Sequence, residues 1–203
     1  MIKVIDNFVN LTYYKAIEDS ILKSDFPWYW LPSIAGEVWN IQRGRRNLFG
    51  FSSSISDAGN PLSSHHDFLL PLFLLASEVT EAKILLRART AMTVVSKRQV
   101  TYEPHIDMPN HGEHINMILY IGDSDGDTII YKEKFLSQKP YVRPIIPKIP
   151  KILTEEQRVT PKANRLVIFN GEHWHTGQSP KEYDRRVILN LNFAESDYRI
   201  DAS

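Results

Sequence analysis

The chain has 203 residues, 42% hydrophobic and 24% charged, with equal numbers of basic and acidic side chains and a formal net charge of zero. That make-up suits one globular domain, and the lack of positive charge argues against nucleic acid or an anionic membrane as a partner. There is no cysteine, which excludes disulfides, thiolate metal sites and cysteine nucleophiles, so any metal must be held by imidazole and oxygen.

The first ten residues, MIKVIDNFVN, lack a charged segment followed by an apolar one, so no signal peptide is expected. The longest apolar run, FLLPLFLLA, is too short to span a bilayer and contains a proline. A cytoplasmic protein without membrane contact is expected. IKVID reads as a strand. A helix is predicted over 12–23, capped by Thr12, because Tyr13, Ile17 and Ile21 recur every four residues. Residues 26–30 read as a packed aromatic loop. The segment 41–64, rich in Gly, Ser, Asn and Arg, reads as a long loop. A second helix is predicted over 71–81 with Pro71 in its first turn, preceded by His65-His66-Asp67, where Asp67 is expected to act as a cap.

From Lys83 the composition turns to β. KILLRARTAMTVV, HINMILYIG, DTIIYK, RLVIFN and RRVILNLNF are β-branched or aromatic runs bounded by Gly, Pro, Asn and Asp. Between the third and the fourth, residues 132–158 carry four prolines and several cations, and read as a surface excursion dispensable for the fold. Helices first and many strands afterwards give an α+β fold, with helices packed on one side of an antiparallel sheet or barrel. A single domain over 1–203 is expected, with 1–82 as helical support and 83–195 as the barrel core.

Strand parity sharpens this, since alternate side chains face opposite ways. In RRVILNLNF, Val187, Leu189, Leu191 and Phe193 form an apolar set, opposite Arg186, Ile188, Asn190 and Asn192. In HINMILYI, Ile115, Met117, Leu119 and Ile121 oppose His114, Asn116, Ile118 and Tyr120. One face of each strand suits helix packing and the other suits a polar pocket, as in a barrel with a wet interior; a plain sandwich gives a similar pattern.

In YEPHIDMP, His105 and Asp107 stand two apart, so an extended backbone sends both side chains to one face. With a later histidine they would form a two-histidine, one-carboxylate set that leaves positions open, the geometry of non-haem Fe(II) oxygenases. His173 and His175 share parity and both compete for the third place. His65 and His66 form a weaker alternative in a polar loop, and His111 and His114 read as solvated or supporting groups.

The ordered set of His105, Asp107, Tyr120, DSDGDTIIY at 123–131, His175 with Gly177 and Pro180, and Arg186 resembles the Fe(II)/2-oxoglutarate dioxygenases over 87–193. The likeness is to the prolyl-hydroxylase-like branch and to small bacteriophage-type members. The resemblance implies a double-stranded β-helix, or jelly-roll barrel, in which Fe(II) is held by His105, Asp107 and His175. It further implies that 2-oxoglutarate and O2 are cosubstrates. Arg186, eleven residues after His175, would grip the far carboxylate, Tyr120 would add a second hydrogen bond to it, and Asn190 would help line its pocket. The reaction implied is hydroxylation of a substrate coupled to decarboxylation of 2-oxoglutarate to succinate and CO2. In the nucleic-acid demethylase branch a second arginine follows six residues after the clamp; Asn192 stands there. Arg43, Arg45, Arg46 and the cations of 132–158 read as solvated loops; if they act, they would be lids or substrate contacts beside the open end of the barrel. Two other readings stand beside this one. One is a cupin-like metal enzyme, for which His173-Trp174-His175 mimics the paired histidines but no Glu follows. The other is a non-enzymatic jelly-roll binding protein.

Overall fold

The computed structural model describes residues 2–34, 49–136 and 147–194. Strand β1 (Ile2–Ile5) leads to helix α1 (Leu11–Leu22), then strands β2 (Tyr29–Leu31), β3 (Gly50–Asp57) and β4 (Asn60–Pro61) precede helix α2 (His65–Thr80). The remaining strands are β5 (Ile84–Val94), β6 (Ile115–Tyr120), β7 (Thr128–Lys134), β8 (Glu155–Val159), β9 (Leu166–Asn170), β10 (His173–Gly177) and β11 (Arg185–Ala194). The large sheet runs β1-β9-β6-β11-β5-β3-β2 with β4 on β3, and a smaller one runs β10-β7-β8, all pairs antiparallel. This is the expected α+β architecture, a jelly-roll barrel with helices on one sheet.

Several local expectations are corrected. α1 starts one residue earlier, and its cap is Asn10, whose side chain accepts from the Tyr13 amide at 2.9 Å; Thr12 already lies inside the helix. The buried face is Tyr14, Ile17 and Ile21, with Tyr13 at its margin. α2 begins six residues before Pro71, which therefore sits in the helix interior. Proline costs a helix one amide donor. Here packing outweighs that loss: Leu69, Leu72, Phe73 and Ala76 are buried against the sheet. Asp67 occupies the first turn, where its charge suits the helix dipole, but the amide of His65 is satisfied by the Ser63 hydroxyl at 3.2 Å.

Much of the segment read as a long loop is strand. β3 pairs with β5 over Gly50–Asp57, its serines accommodated because Ser53 and Ser56 are buried and the hydroxyls of Ser52 and Ser56 donate to backbone carbonyls. The same pairing makes residues 29–31 a short edge strand instead of a loop. Residues 1–82 are thus more than helical support, since β1 borders one edge of the large sheet and β2 and β3 the other. The proline-rich excursion also ends in structure. β8 covers 155–159 and pairs with β7, so the end of the excursion, 155–158, is strand and not loop. Residues 137–146, together with Arg43, Arg45 and Arg46, lie outside the described residues.

The parity reading holds in three dimensions. Val187, Leu189, Leu191 and Phe193 join Met117, Leu119 and Ile121 in the core between the large sheet and both helices, where Tyr14, Ile17, Ile21, Leu69, Leu72 and Phe73 meet them. Ile118, Tyr120 and Ile188 face the other way, into a second cluster with Ala91, Ile130, Val159, Val167 and Phe169 between the two sheets. The barrel interior is therefore apolar at its middle. Its polar groups sit around that plug.

Candidate active site

Antiparallel register decides which side chains share the interior. On β11, Arg186, Ile188, Asn190 and Asn192 stand opposite Thr93, Ala91, Arg89 and Arg87 of β5. On the other flank Ile188, Asn190 and Asn192 oppose Tyr120, Ile118 and Asn116 of β6. Segment 100–105 runs beside β10: the Tyr102 amide donates to Gly177 O, and His105 and His175 exchange both backbone hydrogen bonds, at 2.9 and 3.2 Å. That bridge sets the two imidazoles 4.5 Å apart between ring centroids.

The result is a cluster of His105, Asp107 and His175 whose ligand atoms lie within 4.8 Å of one another. Each histidine anchors Nδ1 on a carbonyl two residues earlier, His105 on Glu103 O at 3.2 Å and His175 on His173 O at 3.1 Å. With Nδ1–H donated, Nε2 carries the lone pair, and both Nε2 atoms face Asp107, at 3.5 Å for His175 and 3.9 Å for His105. Burial, reinforced by His175, pulls His105 down to about 4, so its imidazole is neutral at ordinary pH.

Asp107 is enclosed, its side chain 1% exposed. Oδ2 accepts from Asn190 Nδ2 at 2.9 Å and Asn116 Nδ2 at 3.0 Å, and Oδ1 from Arg87 at 3.0 Å. Arg87 Nε donates to Asn192 Oδ1, and Asn192 Nδ2 to Asn116 Oδ1, so Asp107, Arg87, Asn192 and Asn116 form a closed ring of hydrogen bonds. Burial alone would raise this carboxyl. The His175 contact and the charges of Arg87 and Arg89 outweigh that and hold it well below the usual carboxylate range. Sequence reasoning missed both arginines and Asn116, although alternation in RARTAMT puts Arg87, Arg89, Ala91 and Thr93 on one face.

Beside the cluster opens a narrow cleft, partly open to solvent. Ile34, Ala91, Ile118 and Ile188 form its apolar wall. Arg186, 5% exposed, closes one end, and its NH2 donates to Thr128 Oγ1 at 2.7 Å. The expected second contact, Tyr120, stands behind Thr128 and not on the wall: its hydroxyl donates to the same Oγ1 at 2.7 Å, and its ring lies 5.7 Å from the Arg186 guanidinium carbon. Having accepted twice, the Thr128 hydroxyl has its own proton left for the cleft. Arg186 Nε, Thr93 Oγ1, Tyr102 OH and Arg89 Nε are buried with no hydrogen-bond partner among the described residues. All four residues line the cleft. Such groups cost free energy unless a ligand meets them.

The other histidines sit elsewhere. His173 donates Nδ1–H to Tyr131 O at 2.7 Å beside Glu156, because a register shift between His173 and His175 breaks their shared parity. His65 and His66 belong to α2, against Phe26 and Phe73. His114, read as either solvated or supporting, is 3% exposed, with Nδ1 on Gly112 O and its ring so close to Gly171 that no side chain fits there. Asn190 lines the cleft as expected, with its amide turned to Asp107.

Residues 90–194 match the model of the 2OG-Fe(II) oxygenase superfamily, and the chain belongs to that family. Its members use Fe(II), 2-oxoglutarate and O2 to oxidise a substrate. No curated protein sequence matches the chain significantly. Among solved structures, the fold is similar to the α-ketoglutarate-dependent epimerase SnoN from nogalamycin biosynthesis (TM-score 0.62, 13% identity, covering 96% of this chain and 78% of that one). It is also similar to a Pseudomonas putida prolyl-4-hydroxylase (0.58, 14%, 96% and 92%). A third is the Trichoplax adhaerens prolyl hydroxylase solved with a hypoxia-inducible-factor peptide fragment (0.61, 14%, 100% and 87%).

Proposed function

We propose that His105, Asp107 and His175 hold Fe(II), that Arg186 and Thr128 take the distal carboxylate of 2-oxoglutarate, and that the reaction is hydroxylation of a substrate C–H bond. The observation that carries the reading is the approach of two imidazoles and one carboxylate within 4.8 Å beside a cleft lined with unpaired buried donors. Two nitrogens and one oxygen on one face suit Fe(II), and the open sides leave room for ligands. The donors suit a dianion: Arg186 offers Nε and Thr128 its hydroxyl, with Tyr102 and Thr93 nearby.

When bound, the group supplies the oxidising chemistry: 2-oxoglutarate, O2 and R–H give succinate, CO2 and R–OH. The chain's own residues do the rest. The hydrogen-bond ring keeps Asp107 charged and fixed in orientation, so that it presents a constant ligand. The backbone bridge fixes the two imidazoles. Ile118, Ile188 and Ala91 keep water from the middle of the cleft, where stray solvent would divert the oxidant. A net charge of zero gives the chain no overall electrostatic footprint for a nucleic-acid substrate. The test is anaerobic titration with Fe(II) and 2-oxoglutarate, followed by admission of O2 and measurement of succinate. Tight metal binding and O2-dependent succinate are expected; metal binding with no 2-oxoglutarate binding would favour a cupin-like enzyme instead.

A further inference from the structure

Arg89 is left over once iron and 2-oxoglutarate are assigned. It lines the cleft from β5, opposite Asn190, on the Asp107 side. Among the described residues its guanidinium pairs with Asp107 Oδ1, at a loose 3.6 Å, and that oxygen already accepts from Arg87 at 3.0 Å. Its Nε is buried and has no hydrogen-bond partner among the described residues. Burial, and then the charge of Arg87, pull its guanidinium down to about 10, so it stays charged near neutrality. The guanidinium is half-buried at the cleft wall, and a buried Nε–H that lacks an acceptor there is costly unless an oxyanion arrives.

Charge balance points the same way. Arg87, Arg89 and Arg186 face a single carboxylate, Asp107. Ferrous iron adds two positive charges and 2-oxoglutarate removes two, so the filled centre keeps an excess of two. 2-Oxoglutarate is poorly placed to serve Arg89 as well. Arg186 is fixed at the Thr128 end, level with Thr93, whereas Arg89 lies four residues along the same strand, roughly 13 Å away at the usual rise per residue. A diacid running from Arg186 to the three ligands commits its second carboxylate to the metal, and any sharing of that carboxylate with Arg89 is read from 2-oxoglutarate affinity in R89Q.

We propose that Arg89 binds a carboxylate of the substrate, so that this enzyme oxidises a carboxylic acid, held by the Arg89 fork beside the metal ligands. This rests on the reading of the site given above. The planar guanidinium matches a carboxylate with Nε and one terminal nitrogen, and the adjoining Ala91, Ile118 and Ile188 accept the carbon skeleton. A neutral substrate would leave the buried Arg89 Nε–H without a charged acceptor.

The test uses Mn(II) in place of Fe(II), saturating 2-oxoglutarate, and propionate as the probe, with propionamide as its neutral counterpart. Paramagnetic relaxation of the probe's protons reports whether it sits near the metal, without turnover. In the wild-type protein propionate should be relaxed and propionamide should not. In R89Q, studied at saturating Mn(II), propionate affinity should fall at least about tenfold while 2-oxoglutarate binds as before. In R89K, which keeps the charge but loses the fork, the loss should be intermediate. Equal relaxation of propionate in wild type and R89Q would overturn the proposal by placing the anion on the metal alone. A weakened 2-oxoglutarate in R89Q, or equal response to propionamide, would overturn it too. If R89Q is unfolded, R89K decides, and wild-type-like propionate affinity there would sink the fork. Failure of the wild type to bind 2-oxoglutarate would instead count against the site reading, and propionate would then be read with Mn(II) alone.

Discussion

Arg186→Ala is the substitution that probes the cosubstrate end of the cleft. The guanidinium is 5% exposed; NH2 is committed to Thr128, and Nε is buried without a partner. It is boxed in by backbone, since a methyl at Gly126 would come within 3.0 Å of its Cδ and one at Gly177 within 3.4 Å of its NH1. The arm therefore has one pose, and a carboxylate meets it without ordering cost. A hydrogen bond to a charged group contributes about 1.5–3 kcal/mol. Losing one at the lower figure weakens binding about tenfold, and losing two about 150-fold. Anaerobic calorimetry of 2-oxoglutarate with Fe(II) present should show a loss within that span for Arg186→Ala and a smaller one for Arg186→Lys, with iron affinity unchanged. Arg185, exposed on the opposite face, should be replaceable by Ala without effect on the cosubstrate. Wild-type affinity for 2-oxoglutarate in Arg186→Ala would refute the assignment of this pocket.

Three further expectations concern the metal and the core. His105→Ala should abolish bound iron, measured by metal analysis after anaerobic loading, whereas His173→Ala and His66→Ala should leave one ion per chain. Asn116→Leu removes a donor to Asp107 and the acceptor of Asn192. Metal affinity should fall about ten- to a hundredfold and the fold should lose about 1–3 kcal/mol, read by metal titration and urea unfolding; unchanged affinity would show that the ring does not position Asp107. Burial lowers the pKa of His114 below the ordinary 6.5 in the folded chain. The unfolded state therefore binds the proton first as pH falls, and stability present above about 6.5 should decline below it. His114→Gln should make the urea-unfolding free energy of the metal-free protein flatter between pH 7 and 5; an unaltered slope would show that His114 does not contribute.

The sequence determined the periodicities, and with them the fold class, because alternation in 115–121 and 186–193 reports burial directly. It also offered His105 and Asp107 as a same-face pair, while the resemblance to the oxygenases singled out His175 and Arg186; the fold brings the two histidines and Asp107 together. What it could not determine was anything set by competition between elements. Pro71 inside α2 and the serine-rich β3 run against local propensity, and tertiary burial overrides propensity by more than a proline or a few serines cost. His173 and His175 share parity on paper; a bulge against β7, which is a property of the pair and not of either strand, separates them. The placing of Thr128 between Tyr120 and the cleft, the ring around Asp107 and the unpaired Arg89 each depend on strands far apart in sequence meeting in one register. Only the tertiary structure decides them, because register is fixed by packing across the whole sheet and leaves little trace in any single strand.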